Sequence, residues 1–89
     1  MINEIDFRKQ FGAKLHSLRK QKGLTQSELA FYLNYSDKAV SKWERGENVP
    51  DTYTVYKIAS FFGVSVDELF SDSLEIKVDP TKDNKTKSV

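Results

Sequence analysis

The sequence predicts an all-α fold, a compact bundle of five short helices with a disordered C-terminal tail. Apolar residues recur every three or four positions through most of the first 70 residues, as they do on the buried face of an α-helix. Two stretches, TQSE and SVDE, have the Ser/Thr-x-x-Glu pattern with which helices often begin. Strand-like alternation occurs once, in LEIKV at residues 74–78, and one short strand does not form a sheet by itself.

The first helix is predicted over about residues 5–22, and Gly23 ends it. Its apolar residues lie four, four and three positions apart: Phe7, Phe11, Leu15 and Leu18. The second helix begins within LTQSEL, where Thr25 is placed to cap it and Glu28 to complete a capping box. The same arrangement in VSVDEL, residues 64–69, predicts that the fifth helix begins in the same way.

The third and fourth helices are delimited by caps and glycines. Ser36 is placed to cap the third helix, which stops at Gly46. Pro50, followed by Asp51 or Thr52, precedes the fourth helix, which Gly63 ends. The inward-facing residues of the fourth helix are predicted to be Val55, Ile58, Ala59 and Phe62.

Composition limits the function. A chain of 89 residues indicates one domain, predicted at residues 1–70, and the polar end of the segment 71–89 indicates a mostly disordered tail or linker. The absence of cysteine excludes disulfides, zinc–thiolate sites and cysteine nucleophiles, and is typical of a cytoplasmic protein. The single histidine, His16, has no second histidine for a metal or catalytic site and is predicted at the surface. No membrane span, cofactor, metal, small-molecule ligand or catalytic pair is expected, so an enzyme is not indicated.

The third helix has two different faces. At about 100° per residue, Ala39, Val40 and Trp43 share one side, so Trp43 is predicted in the core. The opposite side, here called the polar strip, consists of Asp37, Lys38, Ser41, Lys42 and Arg45. Only residues 34–36 separate this helix from the second one, and Asn34 tolerates the left-handed conformation of a sharp turn. Two helices joined in this way predict a helix-turn-helix at about residues 25–45.

LTQSELAFYLNYSDKAVSKWERGENVPD, together with IASFFGVSVDELF, resembles the Cro/repressor-type (Xre-like) helix-turn-helix domain of bacterial and phage transcription regulators. The resemblance covers roughly Phe7 to Phe70 and departs at Asn34, where this family often has glycine. It implies a lambda-repressor-like DNA-binding domain and a sequence-specific transcriptional regulator, here expected to be a repressor. It further implies a homodimer on double-stranded operator DNA, with residues 36–45 in the major groove.

Four residues of the polar strip are candidates for base contacts: Asp37, Lys38, Ser41 and Lys42. Lysine can donate to guanine O6 and N7, aspartate can accept from cytosine N4, and serine can do either. These residues lie on the first two turns, which reach deepest into the groove in this docking mode. A mixed polar face that serves solubility alone is the structural alternative. For Asp37, a stabilising role at the helix N-terminus is as well supported as base reading.

Further residues are candidates for phosphate contacts: Gln26, Ser36, Arg45, Asn48 and Tyr53. Gln26 resembles the family's phosphate-contacting glutamine, which also braces the third helix. Surface arginine and tyrosine are common, so an ordinary surface role remains open for Arg45, Asn48 and Tyr53. Arg19 resembles a family arginine that pairs with an acid late in the third helix, here Glu44, and the pair is predicted to be buried.

A protein-interaction module is the alternative function, in which the bundle binds a partner protein as an antitoxin binds a toxin and also binds DNA in some cases. Three aromatic residues that the helix phases do not clearly bury are available for such a contact or for self-association: Tyr32, Tyr56 and Phe61. Dimerisation is expected to use apolar residues near the chain's end: Leu69, Phe70, Leu74, Ile76 and Val78.

Overall fold

The computed structural model describes residues 3–71, and within them the chain forms five α-helices. The helices are α1 (Glu4–Gln21), α2 (Gln26–Leu33), α3 (Asp37–Glu44), α4 (Thr52–Phe62) and α5 (Val66–Leu69). The predicted all-α bundle of five short helices is therefore confirmed, with bounds within about two residues of those expected. The predicted tail beyond Ser71 and the possible strand at residues 74–78 lie outside the described residues.

Each helix begins at a side chain that accepts a hydrogen bond from the backbone N–H three residues later. The capping residues are Asn3, Thr25, Ser36, Asp51 and Ser65. Both predicted capping boxes form, at the starts of α2 and α5. Asn3 was not identified from the sequence, and because it caps α1 this helix starts at Glu4, one residue before the predicted position.

The core collects apolar side chains from all five helices. Its members are Phe11, Leu15, Leu18, Leu29, Ala30, Leu33, Val40, Trp43, Ile58, Ala59 and Leu69. The prediction that Trp43 belongs to the core is confirmed. Of the four residues predicted to face inward from α4, Ile58 and Ala59 are fully buried, whereas Val55 and Phe62 pack against the core only in part.

Two residues differ from their expected environments. Leu69 was expected to supply surface for a dimer, but it is fully buried in its own core and is unavailable for an intermolecular contact. Lys14 is only 1% exposed, although a charged residue in a helix ordinarily lies in solvent. Its Nζ donates to Ser71 Oγ at 3.1 Å, so the lysine ties α1 to the segment that follows α5.

Candidate nucleic-acid interface

The connection between α2 and α3 is a tight turn of three residues. Asn34 ends α2 in the left-handed region with φ 63°, the only non-glycine residue with positive φ in the described part of the chain. Ser36 then caps α3 by accepting a hydrogen bond from the backbone N–H of Ala39 at 3.1 Å. Lys57 of α4 donates to the carbonyl of Leu33, which satisfies an acceptor at the end of α2. The predicted helix–turn–helix geometry is present.

The polar strip lies on the outer face of α3, opposite the buried side chains of Val40 and Trp43. Asp37, Lys38 and Lys42 are exposed. Ser41 is half-buried, and its hydroxyl accepts a hydrogen bond from the guanidinium of Arg45. α3 therefore presents two lysine ammonium groups one turn apart on its exposed face.

The residues predicted to contact phosphates surround this strip but are engaged differently. Gln26 is half-buried and donates from Nε2 to Glu44 Oε1 at 3.0 Å. Arg45 forms an exposed ion pair with Glu47 at 2.7 Å. Asn48 and Tyr53 are exposed, and the Tyr53 ring lies under Lys57, whose Nζ is 4.8 Å from its centroid. Ser36 is used as the cap of α3.

An ionic network beneath the strip joins α1, α2 and α3. Arg19 donates from Nε to Glu44 Oε2 at 2.6 Å and from Nη2 to Oε1 at 2.9 Å. The side chains of Arg19 and Glu44 are 9% and 5% exposed, so the predicted burial of this pair is confirmed. Arg19 also donates to the carbonyl of Leu24, just before α2. His16 keeps an exposed side chain, as predicted, but its Nδ1 lies 3.1 Å from Glu44 Oε1.

The charge on Glu44 is maintained by this network. Burial by itself raises the pKa of a carboxyl group, but the hydrogen bonds from Arg19, Gln26 and His16 outweigh burial, and the pKa of Glu44 lies below its ordinary value. Glu44 is thus ionised at neutral pH: it accepts two hydrogen bonds from Arg19 and one from Gln26, and Nδ1 of His16 lies 3.1 Å from its Oε1. The network fixes the end of α3 relative to the start of α2.

Gly12 allows α1 to pack very closely against α3. A Cβ atom at this position would lie 2.4 Å from the carbonyl oxygen of Trp43 and 2.6 Å from that of Glu44. Sequence reasoning did not identify this residue, although a glycine within a helical pattern is a signal for close packing. Gly12 and the ionic network act on the same turn of α3.

Tyr35, in the turn before α3, was also missed. Its ring packs edge-on against Trp43, with 5.0 Å between centroids, and 41% of the residue is exposed. It lines a shallow cleft of about 310 Å³ between α3 and residues 48–51. Lys38, Lys42 and Asn48 line the same cleft, which therefore adjoins the polar strip.

Other kinds of site have little support within residues 3–71. No group of three or more histidine, aspartate or glutamate side chains converges there in a way that could hold a metal ion. No helix of this part of the chain combines the length and apolar character that a membrane span requires.

Comparisons with known proteins agree with the geometry. Residues 15–69 match the family model HTH_3, described as helix-turn-helix. The HTH-type transcriptional activator BcrR of Enterococcus faecalis is 45% identical over 62 residues, which are 70% of this chain but 30% of BcrR. The cryptic phage CTXphi transcriptional repressor RstR of Vibrio cholerae is 33% identical over 79 residues, 89% of this chain and 70% of RstR. The S. venezulae BldD DNA-binding domain superposes with a TM-score of 0.64 and 31% identity over 74% of this chain and 99% of that domain.

Proposed function

The chain belongs to the HTH_3 helix-turn-helix family of DNA-binding transcriptional regulators, and from that premise we propose that it binds a specific double-stranded DNA sequence with α3 in the major groove. The observation that carries the proposal is the division of α3 into a buried face and an exposed polar strip. The relatives compared above are transcriptional regulators and not enzymes, in agreement with the sequence analysis. The proposal assigns the protein to the cytoplasm.

Base reading is assigned to the polar strip. Lys38 and Lys42 each offer an ammonium group to guanine O6 and N7, and Asp37 offers a carboxylate to cytosine N4. The Ser41 hydroxyl accepts a hydrogen bond from Arg45 and keeps its own hydrogen to donate to a base acceptor. Because Ser41 is half-buried whereas Lys38 and Lys42 are exposed, the two lysines are expected to carry the larger share of the selectivity.

Phosphate anchoring is assigned to the residues around the strip. Because Nε2 of Gln26 carries two N–H groups and one of them bonds Glu44, the second is available for a phosphate oxygen. Arg45 must share or leave Glu47 to reach a phosphate, and Ser36, Asn48 and Tyr53 complete the group. Such contacts set the register of α3 on the duplex and carry no sequence information directly.

Repression is the proposed direction of regulation. The two relatives differ in direction, since BcrR is an activator and RstR a repressor. This chain matches 70% of the length of RstR but 30% of the length of BcrR. A domain that occupies an operator can block access to a promoter, and RstR, the relative matched over 89% of this chain, is named a repressor.

Dimerisation on a two-fold operator is part of the proposal, because one short helix reads few bases and paired half-sites extend the sequence read. An apolar groove of about 320 Å³ lies between α5 and the segment after α3. Its lining includes Phe7, Val49, Pro50, Val55, Val66 and Phe70. We assign this groove to the contact with a second copy of the chain, because Leu69, which was expected to form that contact, is buried. Residues 74–78, which lie outside the described residues, remain a second candidate for the contact.

A protein-interaction module remains the second candidate, favoured by one observation. Phe31 and Tyr32, on the outer face of α2, are 80% and 60% exposed, and Tyr32 packs on Phe61 with 5.2 Å between centroids. Exposed aromatic clusters often mark protein contacts. Salt dependence distinguishes the two functions. DNA affinity falls steeply with salt concentration through counterion release, whereas the affinity of an aromatic protein contact does not.

In-vitro selection from a randomised duplex pool tests the proposal, because it detects DNA binding and identifies the site together. The affinities of Lys38→Ala, Lys42→Ala and Gln26→Ala for the selected duplex and for a scrambled one are then compared at fixed salt. The lysine variants are expected to lose more on the selected duplex, by about 1–3 kcal/mol per base contact, while Gln26→Ala loses similarly on both.

Lys22→Ala is the matched control, because Lys22 lies over Phe61, at the far end of α4 from Tyr53. Equal losses of the two lysine variants on both duplexes would contradict base reading by the polar strip. Two variants locate the dimer contact: truncation after Ser71, and Val66→Lys in the groove. The oligomeric state of each is measured by sedimentation with and without the selected duplex. A dimer unaffected by either change would exclude both assigned surfaces.

A further inference from the structure

The cleft beside the polar strip combines charged and apolar walls. Lys38 and Lys42 line it on the side of the strip, so it opens where base edges are expected. The apolar part of its lining comes from Tyr35, Ala39, Trp43, Val49 and Pro50, and the other polar part from Ser36, Asn48 and Asp51. An opening of this kind suits an apolar group that lies next to hydrogen-bond acceptors.

Major-groove chemistry identifies that group. The edges of the four bases present acceptors and amino groups in the major groove, and the 5-methyl group of thymine is the one apolar substituent among them. We propose that the cleft receives the methyl group of a thymine next to a guanine contacted by Lys38 or Lys42, and that Tyr35 is a specificity-determining residue. This inference rests on the proposed function, since it needs α3 in the major groove.

Tyr35 is held in place for this role before DNA arrives. The edge-on contact with Trp43, a buried residue of the core, fixes the ring against the bundle. Asn34 and Ser36, on either side of Tyr35, are fixed by the left-handed end of α2 and by the cap of α3. A ring fixed in this way loses little conformational entropy when a methyl group packs against it.

Replacement of thymidine by deoxyuridine tests the proposal, because thymine and uracil differ only in the 5-methyl group and both pair with adenine. Each thymine of the selected duplex is replaced singly, and Kd is measured at fixed salt. Burial of one methyl group corresponds to about a fourfold change in Kd. The wild-type protein is therefore expected to bind about fourfold more weakly when one particular thymine of a half-site is replaced.

Protein variants test whether the methyl group of that thymine packs in the cleft. Tyr35→Ser, which leaves no apolar group at this position, is expected to lose most of the difference between the thymine and deoxyuridine duplexes, whereas Tyr35→Phe keeps the ring and retains the fourfold difference. Tyr56→Ser, which removes an exposed tyrosine outside the cleft, is the matched control and also retains it. Thermal unfolding establishes that each variant is folded.

Two results overturn the inference while leaving the proposed function intact: a selected duplex at which no deoxyuridine substitution weakens wild-type binding, and a folded Tyr35→Ser variant that keeps the full discrimination. The first result requires only the wild-type protein, so it holds whether or not Tyr35→Ser folds. Failure of the selection to enrich any duplex would instead overturn the proposed function and this inference with it.

Discussion

Gly12→Ala tests how closely α1 and α3 pack. In most helix interiors the change from glycine to alanine stabilises the helix by about 1 kcal/mol. Here the new Cβ atom would lie 2.4 Å from the Trp43 carbonyl oxygen, and ordinary contact begins at 3.4 Å, so the helices must separate locally by about 1 Å. The atoms in the way belong to the backbone of α3 and cannot rotate aside. Gly12→Ala is therefore expected to destabilise the domain.

The expected loss is about 1–3 kcal/mol, the usual range for overpacking of a well-packed interior. In a domain of this size each kcal/mol lowers the melting temperature by about 4–8 °C. Thermal unfolding followed by circular dichroism measures the shift. Because the displaced turn of α3 contains Glu44, the variant is also expected to bind the selected duplex more weakly at temperatures where it remains folded.

Gly23→Ala is the matched control. Nothing lies within 4 Å of a Cβ at Gly23, but its φ of +69° is strained for alanine, so alanine there destabilises through the backbone alone. Its DNA affinity in the folded state should match that of the wild type. A Gly12→Ala variant more stable than the wild type, with normal DNA affinity, would refute the close approach of α1 and α3.

Three further predictions concern the same framework. Arg19→Met leaves Glu44 buried without its main partner and should cost about 3–5 kcal/mol; a negligible change in melting temperature would contradict the burial of the pair. Because the pKa of Glu44 in the folded state lies below its ordinary value of 4.5, its contribution to stability is present above that pH and is lost as the pH falls through the lowered value. Urea titrations from pH 6 to pH 3 should reveal this loss in the wild type, and the corresponding component should be absent from Glu44→Gln. Thr25→Ala removes the cap of α2 and should cost about 1 kcal/mol, whereas Thr25→Ser, which keeps the hydroxyl, should unfold at nearly the wild-type urea concentration.

Local interactions were the most predictable part of the fold. The capping boxes at Thr25 and Ser65 depend on residues three positions apart, and the two faces of α3 depend on helical periodicity, so both follow from the sequence. Contacts between segments distant in the sequence were harder to predict. A periodic pattern does not reveal that Lys14 bonds to Ser71, beyond α5, or that Leu69 is buried.

The candidate site likewise has parts that the sequence predicts and parts that depend on contacts between distant segments. The polar strip could be identified because the exposed side of a helix follows from its period. The Arg19–Glu44 pair was expected only through resemblance to known domains, since it joins positions 25 residues apart. The cleft at Tyr35 was not predicted, because it depends on where residues 48–51 lie relative to α3, and no local rule determines that position.

The division of α3 also affects how such a protein can change over time. Val40, Trp43 and Glu44 attach the helix to the bundle, while the side chains of the polar strip make few contacts that the bundle needs. Substitutions at Lys38 or Lys42 can therefore accumulate at little cost to folding. A gene duplicate could acquire a new target through a few codon changes on one side of an eight-residue helix, and the same positions offer the shortest route to deliberate retargeting.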